Sequence, residues 1–238
     1  MSDRRSPEFR VEDAFIPPPD PNAVIWRYMK LERFAWMLER RALYFSSVER
    51  FEDPHEGALT EIEDQEFSAT YDETVRSAAR YYTLTFSRRR VMAHCWHLSP
   101  HESAAMWKLY AGTDKAVAIQ STFRRLQQAV VYAAVGVGVV RYIDHETGRT
   151  HVHPFYGPYM HKRLWYQDEH EVRAIVYNRD KEIPDGGLAV PVDLQQLITG
   201  VVVRREPAAL VEQVRRATLK HELHVPVHTS ALDSPPKF

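Results

Sequence analysis

Apolar positions along the chain fall in short runs that alternate irregularly with stretches of helical spacing. Val24 to Tyr28 forms a short apolar run, read as a strand. Leu31, Phe34, Ala35 and Leu38 then recur on one helical face, predicting an amphipathic helix to about Arg41. Leu43-Tyr44-Phe45 is a second strand, closed by the Asp53-Pro54 turn and Gly57. An acidic, then mixed, helical region follows from about Glu61 to Tyr82. Val91 to Leu98 reads as a strand, Glu102 to Ala111 as a helix, Lys115 to Gln120 as a strand and Phe123 to Val130 as a short helix.

Val135 to Ile143 is a strand with a bend expected at Gly136 or Gly138. A turn over Asp144 to Arg149 feeds an extended piece at Thr150 to His153, and Glu171 to Tyr177 alternates as a strand. Leu188 to Val192, a helical turn and Gly200 to Arg204 come next. Pro207 is expected at the start of a helix reaching about Leu219, where its missing N–H costs nothing, and Val225 to Thr229 is a last strand. Links between strands range from hairpin length to helix length. That irregularity predicts an α+β domain with a mixed or antiparallel sheet core and flanking helices. Residues 1–23, with Pro17-Pro18-Pro19 and Pro21, read as an extended arm, residues 24–232 as one domain without repeats or linkers, and residues 233–238 as a frayed tail.

Composition narrows the function classes. Of 238 residues, 44% are hydrophobic and 11% aromatic, enough for a real core. A formal net charge of −1 gives no bulk attraction to nucleic acid or anionic membrane. Cys95 is the sole cysteine, so neither an intramolecular disulfide nor a Cys-based zinc site is open to one chain. The longest apolar run, Ala129 to Val140, is too short to cross a bilayer, and no apolar leader segment is visible, so a cytoplasmic location is expected.

Three groups of residues invite a chemical reading. In an extended Glu169-His170-Glu171-Val172-Arg173, residues at i, i+2 and i+4 share a face, setting two carboxylates beside a guanidinium. Like charges raise one carboxyl while Arg173 lowers both, a tension found at sites and also in solvated cross-strand ion pairs. Arg27, between Trp26 and Tyr28, can turn its fork to a diphosphate or carboxylate, or pair structurally with a residue such as Glu171. Met106, Trp107 and Tyr110 share a helical face that suits a core or a ligand wall, and Cys95 beside His94 and His97 reads as a buried small side chain or a nucleophile. Ser121-Thr122 equally makes an N-cap for the following helix. The 12 histidines fall into no recognised metal spacing, and no Walker loop, GxGxxG or GxSxG is present. No metal is expected.

Ile25-Trp26-Arg27-Tyr28, Leu43-Tyr44-Phe45-Ser46, Phe51-Glu52-Asp53-Pro54 with Glu56-Gly57, Cys95-Trp96-His97, Met106-Trp107-Lys108-Leu109-Tyr110 and Glu169-His170-Glu171-Val172-Arg173 occur in this order. Together they resemble a bacterial family catalogued as domain of unknown function 2971, over residues 24 to 232. More loosely, an early strand arginine, a Ser-Thr or tyrosine element and a late Glu-x-Glu are similar to ADP-ribosyltransferases. That resemblance implies NAD as the bound substrate and a macromolecular acceptor, protein or nucleic acid. It gives Arg27 the NAD phosphates or ribose, with Arg173 as a second cofactor-binding residue. Ser121 or Thr122 braces the site, Tyr110 stacks on nicotinamide, Glu171 is the catalytic glutamate, and Glu169 activates the acceptor. It further implies a role in bacterial defence or toxin–antitoxin biology. Two other readings remain open: an interaction module with a structural Arg–Glu network, and a metal-dependent nuclease or hydrolase.

Overall fold

The computed structural model describes residues 10–111, 115–130, 134–150, 153, 155–179, 186–204 and 208–234. Residues 1–9 of the arm, part of the Thr150–His153 piece, Pro207 and residues 235–238 of the tail lie outside the described residues.

The strands are β1 (Val24–Lys30), β2 (Ala42–Ser47), β3 (Val91–Leu98), β4 (Ala116–Thr122), β5 (Gly136–Val139), β6 (Arg141–Ile143), β7 (His161–Arg163), β8 (Glu171–Tyr177), β9 (Gly187–Pro191), β10 (Gly200–Arg204) and β11 (Val227–Thr229). The helices are α1 (Leu31–Arg40), α2 (Glu61–Thr70), α3 (Glu73–Tyr81), α4 (Arg88–Arg90), α5 (Ala104–Ala111), α6 (Phe123–Ala129), α7 (Leu194–Leu197) and α8 (Ala208–Lys220). Among the described residues nine strands form one mixed sheet in the order β11-β10-β4-β1-β3-β2-β9, with β8 on the other edge of β3 and β5 beyond it. Within it β10–β11 is the one parallel pairing among the described residues, and a small parallel pair, β6–β7, stands apart. This is an α+β domain with helices flanking a mixed sheet.

Local chemistry explains the elements. Phe34, Met37 and Leu38 bury one stripe of α1, which stops at Arg41 in the left-handed region, its N–H bonded to Met37 O. The acidic region divides into α2 and α3 because Tyr71 turns extended and Asp72 caps a new helix. Thr60 and Glu63 close α2 with a capping box. The expected long strand over Val135 to Ile143 divides at Val140 into β5 and β6, which serve different sheets. Gly138 is needed for another reason: a Cβ there would stand 2.8 Å from the Phe15 backbone, which lies against β5, where Val139 N–H donates to Ile16 O at 2.8 Å. The segment just before β1 is therefore packed, with Phe15 against Tyr156.

The main core is Ile25, Phe34, Leu43, Phe45, Met92, Trp96 and Val172 with their neighbours on one sheet face. A second cluster gathers Trp26, Tyr28, Met106 and Trp107 under α5, and a third joins Val48, Ala93, Tyr159 and Ile175. At about 25 cal/mol per Å2 of buried apolar surface, each enclosed Trp or Phe contributes on the order of 2–3 kcal/mol. Among the described residues no helix is long and apolar enough to cross a membrane.

Candidate functional site

Strand β3 is the seam on which the site is built. All seven residues of β1 pair with β4, yet β1 meets β3 only at Ile25–Leu98 and Trp26–His97. Farther along the same edge β3 pairs with β2 through Ala93 and Met92. The strands therefore part between these ladders, and Arg27 fills the opening, its Nη1 donating to Cys95 O at 2.7 Å. The Arg27 guanidinium lies 5.8 Å from the Tyr110 ring centroid, a cation–π arrangement. Arg27, Tyr110, Cys95, Glu169 and Glu171 line one cleft.

On the other side of β3, Cys95 pairs with Arg173 and His97 with Glu171. Arg173 has no exposure at all. It gives Nε and Nη2 to Glu171 at 2.6 and 2.9 Å, Nη1 and Nη2 to Glu56 at 2.8 and 3.1 Å, and Nη1 also to Tyr159 O at 2.6 Å. Lys162 Nζ reaches three carboxylates: Glu169 at 2.5 Å, Glu171 at 3.3 Å and Glu56 at 3.5 Å. The Glu171 N–H donates to the Tyr142 hydroxyl at 2.8 Å.

These contacts set the charges. Burial alone would raise the Glu171 carboxyl, but the Arg173 charge and hydrogen bonds, then Lys162, then the Cys95 thiol, bring it down to about 2. Glu171 is a standing anion. Burial raises the Glu169 carboxyl above its ordinary value, only partly opposed by Lys162. For Lys162, the pull of Glu171, Glu56 and Glu169 outweighs burial and holds the ammonium charged. Burial, with Glu171 beside it, pushes the Cys95 thiol far up, which keeps it protonated and unsuited to nucleophilic attack. Tyr110 is pushed up to about 12 by burial, against the pull of Arg27.

The structure thus brings Arg27, Tyr110, Glu169 and Glu171 together. Arg173 stands behind them, its fork spent on two carboxylates and a carbonyl. Ser121 and Thr122 are not in the cleft. The Ser121 hydroxyl is buried and donates to Leu197 O at 2.6 Å, and Thr122 caps α6 by accepting from Arg125 N. Both hydroxyls are committed to the fold. Nor do Glu169, Glu171 and Arg173 share a strand face as the alternation predicts: Leu164–Glu169 is a 3-10 helix, His170 adopts a left-handed φ of 39°, and the strand starts at Glu171. The turn, rather than strand pleating, sets the two carboxylates around Lys162.

Glu56, Lys162 and Tyr142 are the members that sequence reasoning missed. The glycine after Glu56, Gly57, has φ 82° and a Cβ there would sit 2.3 Å from the Tyr159 ring, but in the sequence it marks a turn and not a charged partner, and Lys162 carries no mark at all. His94 packs on Phe45 and Trp96, while His97 Nδ1 meets Glu169 O at 2.7 Å, so these two point to opposite faces of β3. Among the described residues no three histidine, cysteine, aspartate or glutamate side chains are grouped to hold a metal ion.

No family model matches the chain. No curated protein matches it either. The resemblance to domain of unknown function 2971 therefore stands on its quoted segments alone. Among solved structures, Thermus sp. 2.9 DarT in complex with carba-NAD+ is similar at 13% identity and a TM-score of 0.41, over 91% of this chain and 98% of that one. The same protein in complex with NAD+ is similar at 13% identity and 0.40, over 89% and 96%. Its complex with ADP-ribosylated ssDNA gives 13% and 0.41, over 91% and 97%.

Proposed function

We propose that this chain is an ADP-ribosyltransferase-like domain that binds NAD in the cleft between β1 and β3. It transfers ADP-ribose to a macromolecule, protein or nucleic acid, or to water. The observation that carries this reading is the convergence of Arg27, Tyr110, Glu169 and Glu171 on one cleft.

The charge balance supports the chemistry. Around Lys162 and Arg173 stand three carboxylates against two cations, an excess of one negative charge when Glu169 is ionised. Cleavage of the nicotinamide–ribose bond sends the electron pair to the pyridinium nitrogen and leaves an oxocarbenium-like cation on the ribose. An anionic Glu171 beside that carbon stabilises the cation where it forms. Arg27, which lines the cleft, takes a phosphate oxygen. Tyr110 offers a ring to nicotinamide. Glu169, with its raised carboxyl, accepts the proton of an incoming hydroxyl or amide.

Incubation with labelled NAD, beside Glu171→Gln and Arg27→Ala, tests the proposal. We expect nicotinamide release to fall by about 100-fold or more in Glu171→Gln with NAD still bound, as for loss of a preorganised electrostatic partner. Arg27→Ala is expected to weaken NAD binding. Absence of NAD binding, label transfer and nicotinamide release in the unmodified protein sinks the reading.

One observation favours a second reading, an interaction module with a structural ion network: the Arg173–Glu171–Glu56 set is fully enclosed and internally satisfied. On that reading Tyr110→Ala changes nothing measurable, whereas on the first it weakens NAD binding with thermal stability unchanged.

A further inference from the structure

Helix α5 carries Tyr110 to the Arg27 cleft, and the start of that helix is clamped from several sides. Ser103 caps it, its Oγ accepting from Met106 N at 3.3 Å, and the Ser103 N–H donates to the Tyr28 hydroxyl at 2.8 Å. One residue earlier stands Glu102, and three donors converge on its carboxylate. Oε2 accepts from Trp107 Nε1 at 3.0 Å and from the Ser230 hydroxyl at 2.5 Å, while Oε1 accepts from Ala231 N at 3.0 Å. The chemistry proposed above makes no use of Glu102.

The distant partners are themselves fixed. The Ser230 N–H donates to Val203 O at 2.9 Å, and Asp233, at the end of the same turn, pairs with Arg204 at 3.5 Å. Glu102 therefore joins the start of α5 to a turn beside the sheet edge, 128 positions later in the chain. An ionised carboxylate only accepts, so it satisfies all three donors at once, and bonds to a charged acceptor are about twice as strong as neutral ones. Trp107 is enclosed and meets the Tyr28 ring edge-on at 5.0 Å. Tyr110 comes three residues later on the same helical face and is 38% exposed. A roll of α5 that freed Trp107 would carry Tyr110 with it, away from the Arg27 guanidinium 5.8 Å from its ring centroid.

We infer that Glu102 is a positioning residue for the cleft: its carboxylate ties α5 to the Ser230-Ala231 turn and so holds the Tyr110 ring against Arg27. The consequence for turnover rests on the reading of that cleft as an NAD site, whereas the consequence for the helix does not.

Glu102→Gln in the full chain tests it. The amide puts an NH2 group where the carboxylate had an oxygen, so either Trp107 Nε1 or Ala231 N faces another donor. Hydrogen exchange is expected to be about 10-fold faster at the Met106 to Tyr110 amides and unchanged in β8. A ring laid on nicotinamide favours ground and transition state alike, so KM for NAD is expected to rise about 5- to 10-fold with kcat within about twofold. Ser230→Ala removes one of the three donors, gives a smaller change in the same sense, and serves if Glu102→Gln does not fold. Ser121→Ala, which loses a buried hydrogen bond to Leu197 O outside the cleft, is expected to alter neither quantity. Exchange in α5 at the unmodified rate in Glu102→Gln, or an equal rise of KM in Ser121→Ala, overturns the proposal. Faster exchange with KM unchanged overturns it as well, leaving Glu102 a tie for the fold alone. If the unmodified protein releases no nicotinamide, the NAD reading fails by itself, and the α5 exchange rates together with the Tyr110 ring resonances decide the role of Glu102.

Discussion

Replacing Arg173 with methionine removes a fully enclosed guanidinium that makes five hydrogen bonds, two to Glu171, two to Glu56 and one to Tyr159 O. Methionine preserves much of the stem volume, so the loss is mainly electrostatic. Two buried carboxylates are left with Lys162 as their remaining cation. Removing one partner of a buried ion pair costs about 3–5 kcal/mol. The Glu171 carboxyl gives a second route to the size: holding it from 4.5 down to about 2 contributes about 3 kcal/mol at neutral pH. For a chain of this length that lowers the melting temperature by about 10 °C.

The pH dependence has a definite sign. The folded-state value is depressed, so the stability from Glu171 is complete above the unfolded value near 4.5 and is lost as pH falls towards about 2. In Arg173→Met the stranded carboxylates take up protons at higher pH and the penalty relaxes. The gap between the two proteins, measured by urea unfolding followed by circular dichroism, therefore narrows from pH 7 to pH 5. A loss under about 1 kcal/mol, or the same gap at both pH values, refutes this account of the cluster.

Three further substitutions probe the surroundings. Gly57→Ala meets both a φ of 82° and the Tyr159 ring 2.3 Å from the new Cβ, so chemical denaturation is expected to show a loss of about 2 kcal/mol or more. Ser121→Ala and Thr122→Ala remove, respectively, a buried hydrogen bond to Leu197 O and the α6 cap; each is expected to cost about 1 kcal/mol of stability and to leave NAD binding unchanged, which calorimetry checks.

The fold was largely legible where a pattern is local. Val91–Leu98, Gly200–Arg204 and the burial of Phe34 and Leu38 follow directly from apolar runs and helical spacing, whereas Ala35, expected on the same stripe, is exposed and Met37 is buried in its stead. The division at Val140 was not, because it depends on β6 finding β7 across a gap in sequence. At the site, Arg27 and Glu171 stand out as charged groups inside apolar strands. Glu56 and Lys162 do not, since one sits in a turn and the other in a three-residue strand, and only the fold joins Glu56 to Arg173 across 117 positions. The Glu169 position misled for a physical reason: alternation of polar residues continues unbroken from Glu169 to Arg173, while the backbone reverses hand at His170.

The unequal anchoring of β1 has a mechanical consequence. One wall of the cleft is riveted to β4 along seven residues, the other to β8 along seven, whereas among the described residues wall is stitched to wall by a two-residue ladder, the Ser99 N–H to Val24 O bond, the Trp26 Nε1 bond to Ser99 O and the Arg27 guanidinium–carbonyl bond. Prising the walls apart sacrifices roughly 1 kcal/mol per bond broken and leaves both ribbons intact. The mouth thus has give that the flanking ribbons lack, and a guest that captures Arg27 from Cys95 O loosens the stitch as it enters.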